Sequence, residues 1–303
     1  MKNIVENVFY GVAKGFISVF MVINAIFFIF HLIPGDPARI LVGENVPEEQ
    51  IDKIREELGL NLPLSQRYIN TVRSLLTLNF GRSFFRQTEI KPMLIQRLKN
   101  TLKLATLTII LVIGESLLLF YVYVKFKRLE NLVLGATTFI YSIPNFWLGI
   151  ILIIILSVKL KVLPMSGYEG IKSLILPSIT LSLSLSVVLS RFIKNSVEQV
   201  INSDFSRFLK AKGVYGARFY IHTTRAVLPT IITVLGLQVG VLLSGTVITE
   251  NVFSFPGIGS FVVESVLSRD IQSVISSVFV ISSMWVIINL MTDILIKVLD
   301  PRT

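Results

Sequence analysis

The chain has 303 residues, of which 52% are apolar and only 16% charged, with a mean hydropathy of +0.73 and a formal net charge of +10. Soluble domains carry about 25% charged residues, so a water-soluble globule is excluded. The absence of cysteine excludes disulfides, covalent haem attachment and thiolate-bound metals.

Six apolar runs, near 15–33, 104–124, 132–158, 174–190, 226–249 and 274–299, can each cross a hydrocarbon core of about 30 Å at about 1.5 Å per residue. One soluble core could not bury six such segments, and the alternation expected of a barrel is absent. The sequence predicts an all-α membrane protein with six transmembrane helices, because a helix satisfies its own backbone hydrogen bonds in lipid. The first run is longer than a signal-peptide core and lacks a small-residue cleavage site after Ile33, so it reads as a retained helix. The expected divisions are 1–33 for the N-terminus and first span, 34–100 for an extracellular segment, and 101–303 for a five-helix core.

Placing both termini inside puts 1–14, 125–131, 191–225 and 298–303 in the cytoplasm, where they hold 13 Lys and Arg residues. The short outer segments 159–173 and 250–273 hold only Lys159, Lys161, Lys172 and Arg269, so the positive-inside rule selects N-in, C-in. The +10 charge is thereby assigned to cytoplasmic loops and membrane lipid rather than to nucleic acid.

Within 34–100, Pro47-Glu48-Glu49 opens a helix with proline in its first turn and acids at its positive end. Ile51, Ile54 and Leu58 make one apolar stripe, and Gly59 is a natural C-cap. A second amphipathic stretch, Leu64 to Leu78, follows Pro63. Both read as helices at the outer surface that cap the bundle rather than as a ligand-binding domain. A second outer feature, Pro256-Gly257-Ile258-Gly259, reads as an extracellular turn before a short helix that ends near Arg269-Asp270. It lacks the Gly-Lys-Ser/Thr ending of a phosphate loop.

No catalytic constellation emerges. His31 and His222 are far apart, no paired intramembrane acids occur, and Gly114-Glu115-Ser116 lies mid-helix without a histidine at its depth. Glu115 and Asp293 are the ionisable groups within spans, and such groups mark functional sites or interhelical hydrogen bonds. Ser182, Ser186 and Ser190 recur every fourth residue, as a pathway lining or a close-packing face. Glu115, Ser182, Ser186 and Gln238 are the pathway-lining candidates, with Asn24 and Asn289 read first as polar glue. The chain has no ATP site and no metal-ligand cluster, so active transport would take its energy from elsewhere.

The segment Asp204–Arg218 lies between two apolar runs and is too polar for lipid. Ser203 or Asp204 can cap a helix in which Phe205, Phe208 and Leu209 share an apolar face while Arg207 and Lys210 project elsewhere. Ala211 and Lys212 lead to Gly213, a left-handed C-cap, and a second short helix is expected around Ala217–His222. Such a helix can lie on anionic lipid or fit a partner's groove; the glycine-terminated geometry without a polybasic cluster favours the partner.

Here the residues carry a resemblance. Ala211-Lys212-Gly213, followed by His222 and Leu228-Pro229, resembles the cytoplasmic loop of ABC importer permeases, and of the dipeptide/oligopeptide/nickel family in particular. Supporting matches run along the chain. They include Pro34–Ala38, Leu58-Gly59-Leu60, Asn79–Ser83, Asn100-Thr101-Leu102, Ser142–Trp147 and Leu176-Pro177. The distal half adds Gly236-Leu237-Gln238, Glu250–Phe253, Pro256–Gly259, Arg269-Asp270 and Leu299–Arg302. The chain departs from the family at Phe208 and Leu209, bulkier than the usual alanine and threonine, at Lys99, and in a shorter approach from Gly213 to Pro229.

The resemblance implies a multi-pass inner-membrane permease without a nucleotide site or cofactor of its own. A homologous permease, as a heterodimer, would complete the pore, and two ATPase subunits with their own ATP and Mg would drive it. An extracellular solute-binding protein would deliver short peptides, or alternatively nickel or metal chelates. Asp204, Phe205, Arg207, Phe208, Leu209, Ala211, Lys212, Gly213 and Arg218 would couple the permease to the ATPase. An autonomous channel or proton-coupled carrier centred on Glu115 is the contrasting class.

Overall fold

The computed structural model describes residues 2–32, 38–39, 46–57, 59–126, 128 and 130–299. Most of Pro34–Ala38, Leu58, Lys127 and the terminal Asp300–Arg302 fall outside them. Eleven helices follow in chain order among the described residues: α1 Lys2–Leu32, α2 Glu48–Glu57, α3 Leu64–Leu76, α4 Ile90–Lys125, α5 Glu130–Ser142 and α6 Asn145–Leu152, continued by a π-helical turn Ile153–Lys159. Then come α7 Lys172–Asn202, α8 Asp204–Ala211, α9 Gly216–Val252, α10 Ile258–Leu267 and α11 Ile271–Leu299.

Five helices are long and apolar enough to span a membrane, carried by α1, α4, α7, α9 and α11, and the α5–α6 pair makes a sixth if counted as one broken span. The run 132–158, expected as one helix, bends by 99° between α5 and α6. The cause is Pro144, which disfavours helical backbone at Ile143 and starts α6 as its N-cap with ψ 136°.

The chain forms two compact units: Met1–Tyr10, Thr101–Pro256 and Ile287–Thr303 in one, Gly11–Asn100 and Gly257–Val286 in the other. In the first, α7 is the central helix, packed against α9, α6, α5 and α8. Leu104, Leu176, Leu181, Leu242, Phe253 and Phe255 make its larger core cluster. Ser178, Ser182, Ser186 and Ser190 of α7 are at most 1% exposed, so the fourth-residue serine stripe faces the interior. Small residues there let the neighbouring helices approach closely.

In the second unit, Ile23, Leu75, Phe80, Ile90, Ile258 and Phe261 build the core around α3 and α10. Asn24 acts as polar glue: it accepts a 2.9 Å hydrogen bond from Tyr68 of α3 and donates to Phe20 O. α2 opens at Glu48 and buries Ile51 as its pattern predicts.

Helices end by one recurring device, in which a left-handed residue lets its own N–H and the next one turn back onto the last carbonyls. Gly59 (φ 65°) does this after α2 and Gly213 (φ 74°) after α8. Leu78, Ser254 and Arg269 hold the same position after α3, α9 and α10 at φ 52°, 46° and 55°. The turn expected to be extracellular therefore uses Ser254, not its glycines, as the left-handed residue. Gly257 is an extended N-cap for α10, and Gly259 is buried in that helix's first turn.

Candidate functional site

The coupling candidate is α8 with its C-terminal turn. Ser203, extended at ψ 163°, starts the helix without a side-chain cap; its hydroxyl donates back to Val200 O at 2.6 Å instead. Ser206 donates to the same carbonyl at 2.5 Å, and Leu209 is 7% exposed, so these two residues anchor α8 on the end of α7. At about 100° per residue, an inward Ser206/Leu209 ridge turns Phe205 aside and Phe208 further still. Phe205 is 43% and Phe208 55% exposed, so the single apolar face expected from the sequence divides into one anchor and two outward rings.

The end of α8 is closed by a left-handed turn. Val214 N donates to Leu209 O and Gly213 N to Lys210 O, each at 3.0 Å, with Gly213 left-handed between them. Lys212 places its ammonium 4.5 Å from the Phe208 ring centroid, and Lys210 reaches Phe219 of α9 at 5.5 Å. Asp204 and Arg207 pair at 3.3 Å in full solvent exposure, an interaction of little energetic weight. Ala211 and Arg218 are exposed on either side of the turn. No second short helix forms at Ala217–His222; those residues are the opening turns of α9, which continues unbroken through Pro229 to Val252.

Among the candidates at membrane depth, Ser182 donates to Glu115 Oε1 at 2.9 Å, and Ser116 donates to Ser186 O at 3.1 Å. Glu115, Ser182 and Ser186 thus meet at one α4–α7 contact. Gln238 is elsewhere: both its amide atoms are buried without hydrogen-bond partners, beside a void of about 10 Å³ lined by Val112, Leu185 and Leu242. A void of this size is at the threshold for holding one water.

The chain matches the model of the binding-protein-dependent transport system inner membrane component over residues 111–303, and that of its N-terminal membrane component over residues 9–105. The chain belongs to this family. It is a permease subunit of an ABC importer and a multi-pass inner-membrane protein. It is 33% identical over 288 residues to the probable peptide ABC transporter permease protein y4tP of Sinorhizobium fredii, covering 91% of this chain and 92% of that protein. It is 30% identical over 291 residues to the glutathione transport system permease protein GsiC of Escherichia coli, and 31% to that of Salmonella typhimurium, covering 95% of both chains in each pair.

The family's short motifs meet in space within this permease. Thr101 of Asn100-Thr101 donates to Glu250 Oε1 at 2.6 Å. Phe253 is 2% exposed, its carbonyl accepts from Gly167 N at 2.9 Å, and its ring packs on Gly149. Ser83 hydrogen-bonds Asp270, whose carboxylate also accepts from Ser273 at 2.7 Å.

Sequence reasoning missed the ionic centre beside that pair. Arg86 and Arg97 both reach Glu264 Oε2 at 3.0 Å, and their guanidinium groups lie 4.7 and 5.4 Å from the Phe261 ring centroid. Arg97 also donates to Ser260 at 3.2 Å. The residues are separated by 167 and 178 positions, so spacing carried no signal. The only pointer was an acid within the apolar segment 258–267.

Proposed function

We propose that this permease moves short peptides and is driven through α8. The observation that carries the reading is the division of α8: Ser206 and Leu209 fix it to α7, while the Phe205 and Phe208 rings stay outward. An anchored helix with exposed aromatics is the form expected of a knob for a partner's groove. Asp204, Arg207, Ala211, Lys212 and Arg218 frame that knob, and Gly213 fixes its angle. The relatives named for peptide and glutathione transport support a peptide substrate over a nickel or metal chelate.

A second, homologous permease chain completes the pathway in this reading, and two ATPase subunits carry the ATP and Mg. An extracellular solute-binding protein presents the peptide. Energy enters at α8, so the pathway groups Glu115, Ser182, Ser186 and Gln238 need no proton chemistry of their own.

The test is Gly213→Val in the chain reconstituted with its partner permease and ATPase. A β-branched residue at φ 74° is strained by about 1–2 kcal/mol and loosens the capping turn. Peptide-stimulated ATP hydrolysis and uptake should fall about five- to thirtyfold, since 1.4 kcal/mol is about one decade. Unchanged coupling in the variant would sink the assignment. Uptake that follows a proton gradient without ATPase would instead establish the carrier class.

A further inference from the structure

Outside the coupling loop, the second unit holds a cavity of about 310 Å³, the size of a small-molecule site. Its lining combines Arg67, Arg82 and Arg269 with a single carboxylate, Asp270. That carboxylate is already committed: its side chain is 1% exposed, hydrogen-bonded by Ser83 and Ser273 and 3.9 Å from Arg86, which does not line the cavity. Arg82 donates to Gln87 O at 3.0 Å, which leaves its positive charge uncompensated. Arg67 and Arg269 have no hydrogen bond or ion pair among the described residues. Partial burial pulls the Arg67 guanidinium below the usual arginine range, so the fold disfavours this charge when the cavity is unfilled.

Two further details mark the cavity for a guest. Arg269 is left-handed at φ 55°, at the position after α10 where glycine is the unstrained choice. His31 lines the same cavity, its Nδ1 bonded to Phe27 O at 2.7 Å and its Nε2 buried without a partner. That Nε2 is a buried polar atom left for a guest in the cavity.

The surroundings identify that guest. Phe27, Phe30 and His31 belong to the last turns of the first candidate span, where its apolar run ends. Leu62, Leu64, Ile69 and Leu76, on and just before α3, are 41–66% exposed, the profile of a helix lying in a membrane interface. Phe28 and Leu32, 48% and 80% exposed, continue the apolar surface along α1.

We propose that this cavity binds the phosphate of an anionic phospholipid, held by Arg67, Arg82 and Arg269 with the acyl chains along α1 and α3. Arginine forks match phosphate oxygens in pairs, and an interfacial site meets lipid phosphate at far higher local concentration than any soluble anion. The outer-leaflet source rests on the N-in orientation; the binding chemistry does not.

The experiment uses the full chain, purified and delipidated in a non-ionic detergent. Native mass spectrometry and melting temperature are read with added phosphatidylglycerol, phosphatidylcholine or inorganic phosphate. Wild type should retain one phosphatidylglycerol, bind phosphatidylcholine at least about tenfold more weakly, and gain little from inorganic phosphate. Arg67→Ala should lose the adduct. Arg269→Gly should lose it too while melting no lower than wild type without lipid, since glycine relieves the left-handed backbone. Equal retention of the two lipids, an adduct that survives both substitutions, or full competition by inorganic phosphate or a short peptide's carboxylate would overturn the proposal. The chain has no cysteine, so Arg82→Cys gives a single label site. Labelling from the cytoplasmic side alone would overturn the outer-leaflet source while leaving the phosphate site standing.

Discussion

The two faces of α8 make opposite demands on the experiment that removes them. Phe208→Ala removes a ring that is 55% exposed, so about 110 Å² of the 150–250 Å² of a phenylalanine is left for a partner. At about 25 cal/mol per Å² this is about 2.7 kcal/mol, close to a hundredfold in affinity when the ring is fully covered. Ordering costs and incomplete coverage reduce the expected loss to about tenfold or more. Leu209→Ala removes an anchor that is 7% exposed. Buried leucine truncations cost about 2–5 kcal/mol, and a site at the edge of an eight-residue helix belongs at the low end, about 2.

The assay places each variant in proteoliposomes with the partner permease and measures three quantities: ATPase binding by titration, ATP-driven peptide uptake, and melting of the permease alone. Phe208→Ala should weaken ATPase binding and uptake while leaving the melt unchanged. Leu209→Ala should lower the melt together with uptake. Wild-type ATPase affinity in Phe208→Ala, with an unaltered melt in Leu209→Ala, would show that the anchor and the docking face have been assigned the wrong way round.

Asp270→Ala strips the partner from two serine hydroxyls and leaves Arg86 facing a vacated site; breaking a buried pair costs about 3–5 kcal/mol, seen as earlier thermal unfolding in detergent. Asp270→Asn should recover part of this, because its amide oxygen still accepts from the serines. Gly236→Val should destabilise the chain by at least about 1 kcal/mol, since even the Cβ collides with the Thr292 methyl; Thr292→Ala should restore much of the loss in a double-mutant melt. Glu115→Gln should keep ATP-driven uptake within about threefold, about 0.6 kcal/mol, because an amide oxygen can still accept from Ser182. Uptake abolished by that change would favour proton-coupled transport.

What the sequence made legible was local. Pro47-Glu48-Glu49 and Gly59 bracket α2, and Gly213 closes α8 with the left-handed backbone expected of it. The apolar runs announced the spans for the same reason, since each is a continuous stretch of one chemistry. Tertiary choices were less legible. Three apolar residues on α8 define a stripe, but only the surface of α7, with the Val200 carbonyl within reach of Ser206, decides that Leu209 turns inward and the phenylalanines do not. Residues 217–222 contain no helix breaker, so the short helix expected there simply merges with α9. The break at Pro144 was visible as a proline, yet total apolarity cannot separate a straight span from a pair bent by 99°. The Arg86–Glu264–Arg97 centre was invisible because its members become neighbours only after folding.

The lengths of α7 and α9 complete the functional argument. At about 1.5 Å per residue, the 31 residues of α7 extend about 46 Å and the 37 of α9 about 55 Å, against a hydrocarbon core of about 30 Å. Each helix is therefore longer than the hydrocarbon core is thick, and α8 sits between the end of α7 and the start of α9. A hinge before α9, as two separate short helices would require, would dissipate a push on α8 in a flexible connection. The continuous helix removes that slack, and α7 and α9 already pack against each other within their unit. In the proposed reading, a displacement of Phe205 and Phe208 by a partner passes along two packed rods, α7 to the Glu115–Ser182 contact and α9 to the Thr101–Glu250 contact near its far end. This is why Gly213, left-handed in the turn between α8 and α9 and touching neither contact, is the position at which one added side chain should lower peptide-stimulated hydrolysis and uptake together.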